Sequence, residues 1–238
     1  AYLNQPQETL KLARYVARHY YPNINSQSQP EELLIGLLES LIIRVAEMVA
    51  GWMAAGFVHG VLNTDNFNLT GESFDYGPWR FLDKMDFNFT AAYFDHEGRY
   101  AYGKQPEAAL WALCRLADCF TEFVSAEELE KTLQNFYPAI QSALFAKLCW
   151  RFGAAPVSEA KAEEFVSLFF STTASSKISL DNLFHTFYAG FDMHQILSAP
   201  EALRPLLKLL KELPTRQKQR PRYFDEPLES SLIIDETE

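Results

Sequence analysis

Two segments of this chain decide its interpretation: HGVLNTDN at residues 59–66 and DYGPWRFLD at residues 75–83. Asp65, Asn66 and Asp75 supply two carboxylates and one carboxamide within this short region. Oxygen ligands of this kind suit Mg²⁺ or Mn²⁺. A turn between the two segments would bring Asn66 close to Asp75, so that the pair could hold one metal ion together with phosphate oxygens. The sequence therefore predicts a site that handles a metal ion and a nucleotide.

The residues between these segments predict a short β-hairpin. Residues 67–69 and 73–74 have the composition of two short strands, and Thr-Gly-Glu at 70–72 suits the turn between them. The hairpin lies within the longest region that lacks helical periodicity, from residue 57 to about residue 99. Long irregular regions inside compact domains are usually functional or mobile.

The spacing of the polar residues is similar to that of protein kinases, which carry the pattern H-[RG]-D-x-x-x-x-N, a short hairpin and then D-F-G. His59 begins the match, Asn66 falls at the metal-binding Asn, and Asp75 opens a D-Y-G variant of D-F-G. Val61 stands where kinases have the catalytic Asp, and a valine can neither accept a proton nor orient a hydroxyl group. By that criterion the chain is a pseudokinase, although Asp65 could supply a carboxylate to the same cleft.

The full pattern resembles the selenoprotein O family (SelO, called YdiU in bacteria). Members carry H-G-V-[ML]-N-T-D-N followed by D-Y-G-P-x-x-F-L-D, which this chain matches at 59–66 and 75–83. The resemblance is strong from about residue 8 to about residue 120, and the chain departs from the pattern at Trp-Arg 79–80 and over 86–94. Further matching stretches are LARYVARHYYP at 12–22, DHEGRYAYGKQP at 95–106 and ALWALCRLA at 109–117.

The resemblance implies an enzyme that transfers AMP from ATP to Ser, Thr or Tyr hydroxyls of other proteins. It implies that Asp65 is the catalytic base and that Asn66 and Asp75 bind Mg²⁺ or Mn²⁺ and, through the metal, ATP. His59 is expected to support the loop rather than to transfer protons. The expected partners are therefore ATP and hydroxyl-bearing proteins.

The expected fold is mainly α, namely the helical C-lobe of a protein-kinase-like domain with a short β-hairpin at the catalytic and metal loops. We expect this C-lobe to span residues 1–212, with those loops at 57–83 and an extended tail over 213–238. The Gly-rich segment and phosphate-binding Lys and Arg residues of the family would precede Ala1. We therefore expect a fragment that is inactive alone, because the N-lobe wall of the nucleotide cleft is missing.

Two other functions stay open at this point. A catalytically inactive pseudokinase that serves as a scaffold or binding module is favoured by Val61. A small-molecule kinase of the aminoglycoside type also opens its loop with His-Gly, but the absence of Asp at position 61 counts against it.

Helical periodicity accounts for most of the remaining chain. Apolar residues between Leu34 and Trp52 recur at steps of three and four, which predicts a long buried helix that ends at Gly56. Three S-x-x-E capping boxes are expected to begin helices, at residues 28–31, 125–128 and 198–201. The other expected helices are one from Pro6 to about residue 20 and those near residues 105–120, 125–151 with an interruption at Pro138, 160–170, 180–188 and 200–212.

Composition excludes several classes of function. The net charge of −10 argues against a duplex nucleic-acid binder, whose affinity comes from basic groups. The most apolar stretch is interrupted by charged residues, so we expect no membrane partner, and the first residues lack the apolar core of a signal peptide. Three cysteines without metal-ligand spacing indicate a reducing compartment. We therefore expect a soluble, cytoplasmic protein.

Overall fold

The structure is a computed structural model that describes residues 5–156, 161–216 and 221–228. These residues are mainly helical, which confirms the mainly α part of the expected fold, and they include a two-stranded antiparallel sheet. The α-helices are α1 (Pro6–Tyr20), α2 (Pro30–Ala55), α3 (Gln105–Ala117), α4 (Ala126–Leu133), α5 (Phe136–Arg151), α6 (Ala162–Ser176), α7 (Leu180–Thr186), α8 (Met193–Ser198) and α9 (Arg204–Lys211). The strands are β1 (Phe57–Val58) and β2 (Arg80–Phe81).

Helix α2 is the central element of the fold. It packs against α1, α3, α4 and α5, and its buried side chains lie on more than one face. A helix that is apolar nearly all round must be surrounded by protein. The helix ends at Gly56, as predicted, and β1 follows immediately, so the most deeply buried helix leads directly into the 59–66 segment.

The end of α2 is held by long-range contacts that sequence periodicity does not reveal. The Arg151 guanidinium of α5 donates to the Ala54 carbonyl at 3.2 Å and lies 3.9 Å from the centre of the Phe184 ring. Asp181 lies 4.0 Å from the same guanidinium. The buried Tyr102 hydroxyl donates to the Met53 carbonyl at 2.6 Å. These contacts satisfy carbonyl groups in the last turn of α2, which have no partner within the helix.

Of the three predicted capping boxes, only the second forms a helix cap. The Ser125 side chain accepts a hydrogen bond from the Glu128 amide at 3.2 Å. The first box is wrong because Pro30 occupies the first turn of α2, so the helix is capped by Gln29, one residue later than Ser28 would require. Proline is favoured there because its missing N–H would have no partner in the first turn.

The third predicted box is also wrong. Ser198 is the last residue of α8, and its hydroxyl donates back to the Gln195 carbonyl at 3.0 Å. The capping box in this region is instead formed by Asp192 and Gln195, whose side chains each accept a hydrogen bond from the other's amide, at 2.8 and 2.9 Å. Helix α9 begins only at Arg204, after the short 3₁₀ helix Glu201–Leu203.

The interruption expected at Pro138 occurs just before it. Helix α4 ends at Leu133 and α5 begins at Phe136, so Pro138 lies in the first turn of α5, where its missing amide is tolerated. Helix α6 continues to Ser176, past the expected end near residue 170. Residues 157–160, which include the expected start of this helix, lie outside the described residues.

Residues that follow α9 contact the helical domain where the structure describes them. The Ala155 amide donates to the Pro214 carbonyl at 2.8 Å, and the Arg216 amide donates to the Gly153 carbonyl at 2.9 Å. Phe224 stacks on Tyr188, with ring centroids 3.7 Å apart. The predicted boundary at residue 212 stays a prediction, and residues 217–220 and 229–238 of the expected tail lie outside the described residues. Among the helices that are described, none is both long and apolar enough to cross a membrane.

Candidate active site

The candidate site is built on the antiparallel pairing of β1 and β2. Phe57 is paired with Phe81 and Val58 with Arg80. The buried Gln105 side chain braces β1, since its amide group donates to the Phe57 carbonyl at 2.9 Å. This pairing sets the two segments that carry the polar residues side by side.

The two segments remain adjacent beyond the strands because glycines allow a very close approach. A Cβ atom on Gly60 would lie 2.1 Å from the Pro78 carbonyl oxygen, and Gly60 has a φ of +77°. One residue farther on, a Cβ atom on Gly77 would lie 3.4 Å from the Val61 side chain. The strand pairs 57–81 and 58–80 are therefore followed by close contacts between residues 60 and 78 and between residues 61 and 77.

The predicted hairpin between the segments forms as a tight turn rather than as two strands. A single β-bridge joins Phe67 to Ser73, and the Asn68 amide donates to the Glu72 carbonyl at 2.8 Å. The Phe74 amide donates to the Asn66 carbonyl at 3.3 Å. The turn thus places the backbone of Asn66 beside the residue that precedes Asp75.

Helices α1 and α2 hold this turn in place, which the sequence did not indicate. The Arg44 guanidinium donates to the Thr70 carbonyl at 3.0 Å and to the Tyr20 carbonyl at 3.1 Å. It also lies 4.1 Å from the centre of the Tyr21 ring, whose hydroxyl donates to the Leu69 carbonyl at 2.8 Å. A bend between two oxygen-bearing segments is thereby fixed against the helical core.

The three predicted site residues occupy different environments. Asn66 is 5% exposed, and its side-chain NH₂ donates to the Val61 carbonyl at 2.7 Å. Asp65 is exposed on the 3₁₀ helix Thr64–Asn66, and Asp75 is exposed with a φ of +54°. A positive φ is uncommon for a residue with a side chain, and such conformations cluster at functional sites.

The oxygens of these residues are available for a ligand. Within the described part of the chain, no hydrogen bond or salt bridge reaches the carboxylates of Asp65 and Asp75 or the side-chain oxygen of Asn66. This set of free oxygen donors fits Mg²⁺ or Mn²⁺. No group of three or more His, Cys, Asp or Glu residues in the described ranges could hold a metal by itself. A metal here would therefore depend on Asn66 and on oxygens of a bound nucleotide.

His59 links the first segment to the turn. Its ring is fully buried, its amide donates to the Gln105 side-chain oxygen at 2.9 Å, and its Nε2 lies 3.0 Å from the Ser73 hydroxyl. The Ser73 hydroxyl donates its only proton to the Asn66 carbonyl at 2.8 Å, so it accepts from Nε2–H of a neutral ring. Burial lowers the pKa of His59, which the nearby charge of Asp75 opposes. These contacts support the loop, as expected.

Comparison with known proteins gives the family context of this site. The model of the family described as "Protein adenylyltransferase SelO" matches residues 1–220. A protein nucleotidyltransferase YdiU of Synechocystis sp. is 42% identical over 135 residues, which are 57% of this chain and 28% of that relative. The YdiU proteins of Trichormus variabilis and Rhodopseudomonas palustris are 36% and 46% identical over 77% and 58% of this chain.

The similarity covers only part of each relative. The chain spans about a third of the length of these three proteins, with values of 28%, 37% and 29%.

Substitution of Gly60 tests the close approach of the two segments. Gly60→Ala should lower the free energy of unfolding by about 2 kcal/mol or more, because its Cβ would collide with the Pro78 carbonyl at an unfavourable φ. Gly36→Ala is the matched control in α2, where an added Cβ meets no atom within 4 Å. This variant should raise the free energy of unfolding by about 0.5–1 kcal/mol. Urea unfolding measures both. Equal effects of the two variants would contradict the geometry.

The buried neutral ring of His59 predicts a pH dependence of stability. The unfolded state binds a proton below the ordinary histidine pKa of 6.5, whereas the folded state resists protonation, so the free energy of unfolding should fall as pH drops below that value. Urea unfolding between pH 7.5 and pH 5.5 should show a smaller fall in His59→Gln. The exposed His194→Gln serves as control and should keep the wild-type slope. If His59→Gln also keeps that slope, His59 is not the responsible group.

Proposed function

Since the chain belongs to the SelO family of protein adenylyltransferases, we propose that it carries the metal-binding part of an enzyme that transfers AMP from ATP to Ser, Thr or Tyr hydroxyls of proteins. The observation that carries this proposal is the hydrogen bond between the Asn66 carbonyl and the amide of Phe74, the residue before Asp75, which brings the two segments with free oxygen donors together. In this proposal the helical domain corresponds to the C-lobe of a protein-kinase-like fold.

Asn66 and Asp75 bind Mg²⁺ or Mn²⁺ in the proposed site. The Asn66 side chain is oriented by its bond to the Val61 carbonyl, which leaves its oxygen without a donor among the described residues. Asp75 is exposed with a φ of +54°, and it lies two residues after the turn that Arg44 supports. When bound, the metal neutralises charge on the triphosphate. The two side chains would hold that metal beside the phosphates, since their own oxygens repel phosphate oxygens.

Asp65 is the proposed general base. The acceptor hydroxyl oxygen attacks the α-phosphorus of ATP, the bond from that phosphorus to the α,β-bridging oxygen breaks, and pyrophosphate leaves. The Asp65 carboxylate takes the hydroxyl proton, for which its exposure and its lack of a partner in the described structure suit it. Val61, which lies near Gly77, has no group that could accept this proton.

The proposed site needs further contacts to ATP. Asp65, Asn66 and Asp75 bring no positive charge, whereas phosphoryl-type transfer depends on charge neutralisation around the phosphates. We therefore expect this chain alone to be inactive, and the test below uses the intact protein.

A second candidate, a catalytically inactive scaffold, is favoured by Val61 at the position of the kinase Asp. Binding of ATP separates the two functions. An increase in the melting temperature of the intact protein that requires both ATP and Mg²⁺ or Mn²⁺ supports the enzyme, because a ligand stabilises the state that binds it.

The assignment of Asp75 predicts the result of one substitution. In the intact protein, Asp75→Ala should reduce transfer of α-³²P-labelled AMP to a protein acceptor by about a hundredfold or more, because a metal ligand is lost. Glu72→Ala is the matched control, since it removes an exposed carboxylate from the adjacent turn and should keep most of the activity. Unchanged labelling by Asp75→Ala would refute the proposed site.

A further inference from the structure

A groove of about 450 Å³ lies beside the candidate site. Its lining combines two basic side chains with an apolar wall, and includes Leu62, Arg99, Tyr100, Lys104, Trp111 and Cys114. Resting on the proposed function, we infer that this groove binds an acidic segment with an apolar residue in the protein that receives AMP. The groove would thereby select acceptors whose hydroxyl group lies close to acidic residues.

The groove is continuous with the loop that carries Asp65. Leu62 forms part of its floor and is three residues from Asp65, a separation that spans at most about 10 Å. The Tyr100 hydroxyl donates to the Asn63 side chain and so fixes the groove to the same loop. Helix α3, which forms one wall, also packs against the 3₁₀ helix Thr64–Asn66. A segment bound in the groove would therefore lie next to the proposed base.

The charge of the groove differs from that of the chain. The protein carries a net charge of −10, yet Arg99 and Lys104 are exposed here and form no salt bridge with any described residue. Glu107 is the one acidic residue among those that line the groove. The carboxylate of the nearby Asp95 accepts hydrogen bonds from the backbone amides of Arg99 and Tyr100, at 2.8 and 2.7 Å, and not from the basic side chains.

Some basic residues elsewhere in the described structure have acidic partners, unlike Arg99 and Lys104. Examples are the pairs Lys11–Glu8, Arg115–Asp118 and Lys161–Glu212. Lys104 is also the N-cap residue of α3, where the helix dipole adds to the local positive potential. Arg99 and Lys104 line the same groove, so an acidic ligand bound there would be attracted by both charges and by the end of this helix. Charge complementarity therefore favours an acidic occupant.

The apolar wall supplies an anchor for that occupant. Trp111 is 52% exposed, and its neighbours in the lining include Ala108 and Leu110. Arg115 lies over the Trp111 ring, 4.4 Å from its centre. Exposed tryptophans that line a pocket commonly carry much of the binding energy at protein interfaces. An aliphatic side chain next to the acidic residues fits this surface.

Binding of fluorescein-labelled peptides to the intact protein, without ATP, tests the inference. The probes are peptides of about twelve residues with one threonine and one leucine, flanked by three aspartates, three serines or three lysines. The acidic peptide should bind about tenfold more tightly than the serine peptide, and the lysine peptide more weakly still. Equal dissociation constants for the acidic and serine peptides on the wild-type protein would overturn the inference.

Charge reversal locates the binding site. The double variant Arg99→Glu/Lys104→Glu should raise the dissociation constant of the acidic peptide by about tenfold or more. The control is Lys131→Glu/Lys208→Glu, which makes the same charge change on the exposed faces of α4 and α9 and should alter that constant by less than about twofold. Trp111→Ala should weaken the binding of the acidic peptide that contains leucine. It should not change the binding of the same peptide in which serine replaces leucine. If both double variants lose the same affinity for the acidic peptide, the net charge of the protein and not the groove is responsible for binding.

The Asp75→Ala variant separates this inference from the proposed function. It should bind the acidic peptide as the wild type does but fail to transfer AMP to it. Retained transfer would refute the proposed active site without affecting the groove. Absence of preferential binding by the wild type would refute the groove, whether or not AMP transfer occurs.

Discussion

The close approach of Gly60 to the Pro78 carbonyl is the constraint on which the candidate site depends. Only a residue without a side chain lets the two backbones approach this closely. The contact extends the pairing of β1 with β2 into the two polar segments, and the turn held by Arg44 closes the other end. Asn66 and Asp75 are consequently positioned by contacts at both ends of the loop, and the bond from the Asn66 side chain to the Val61 carbonyl orients Asn66 further.

Residues with local signals could be predicted from the sequence. The apolar period of α2 and its end at Gly56 are confirmed, as are the helix from Pro6 and the Ser125 cap. The predicted cap at Ser28 is wrong because α2 begins at Pro30, with Gln29 as its N-cap residue. The predicted cap at Ser198 is wrong because Ser198 is the last residue of α8, which is capped by Asp192 and Gln195. Strands of two residues have no period, so the pairing of β1 with β2 could not be predicted.

Much of the support for the site depends on contacts that are distant in sequence. Gln105 braces β1 and the His59 amide, and Arg44 with Tyr21 holds the turn. Each of these residues looks ordinary in its local sequence, because a buried Gln or a helical Arg has many possible partners. The family could be recognised without them, since its motif is carried by consecutive residues. The roles of Asp65, Asn66 and Asp75 stay proposals that rest on this family and on their free oxygens.

The two contacts that hold the loop have a consequence for how its length can vary. Residues 61 and 77 face each other, and Phe67 is bridged to Ser73, so the intervening chain is tied at two levels. A single inserted or deleted residue between these two contacts would displace Asp65, Asn66 or Asp75 relative to the others, because the chain is held at both levels. Relatives that keep the same chemistry should therefore conserve this spacing. They should also conserve the turn at residues 70–72, because a Cβ atom on Gly71 would lie 2.3 Å from the Arg44 side chain.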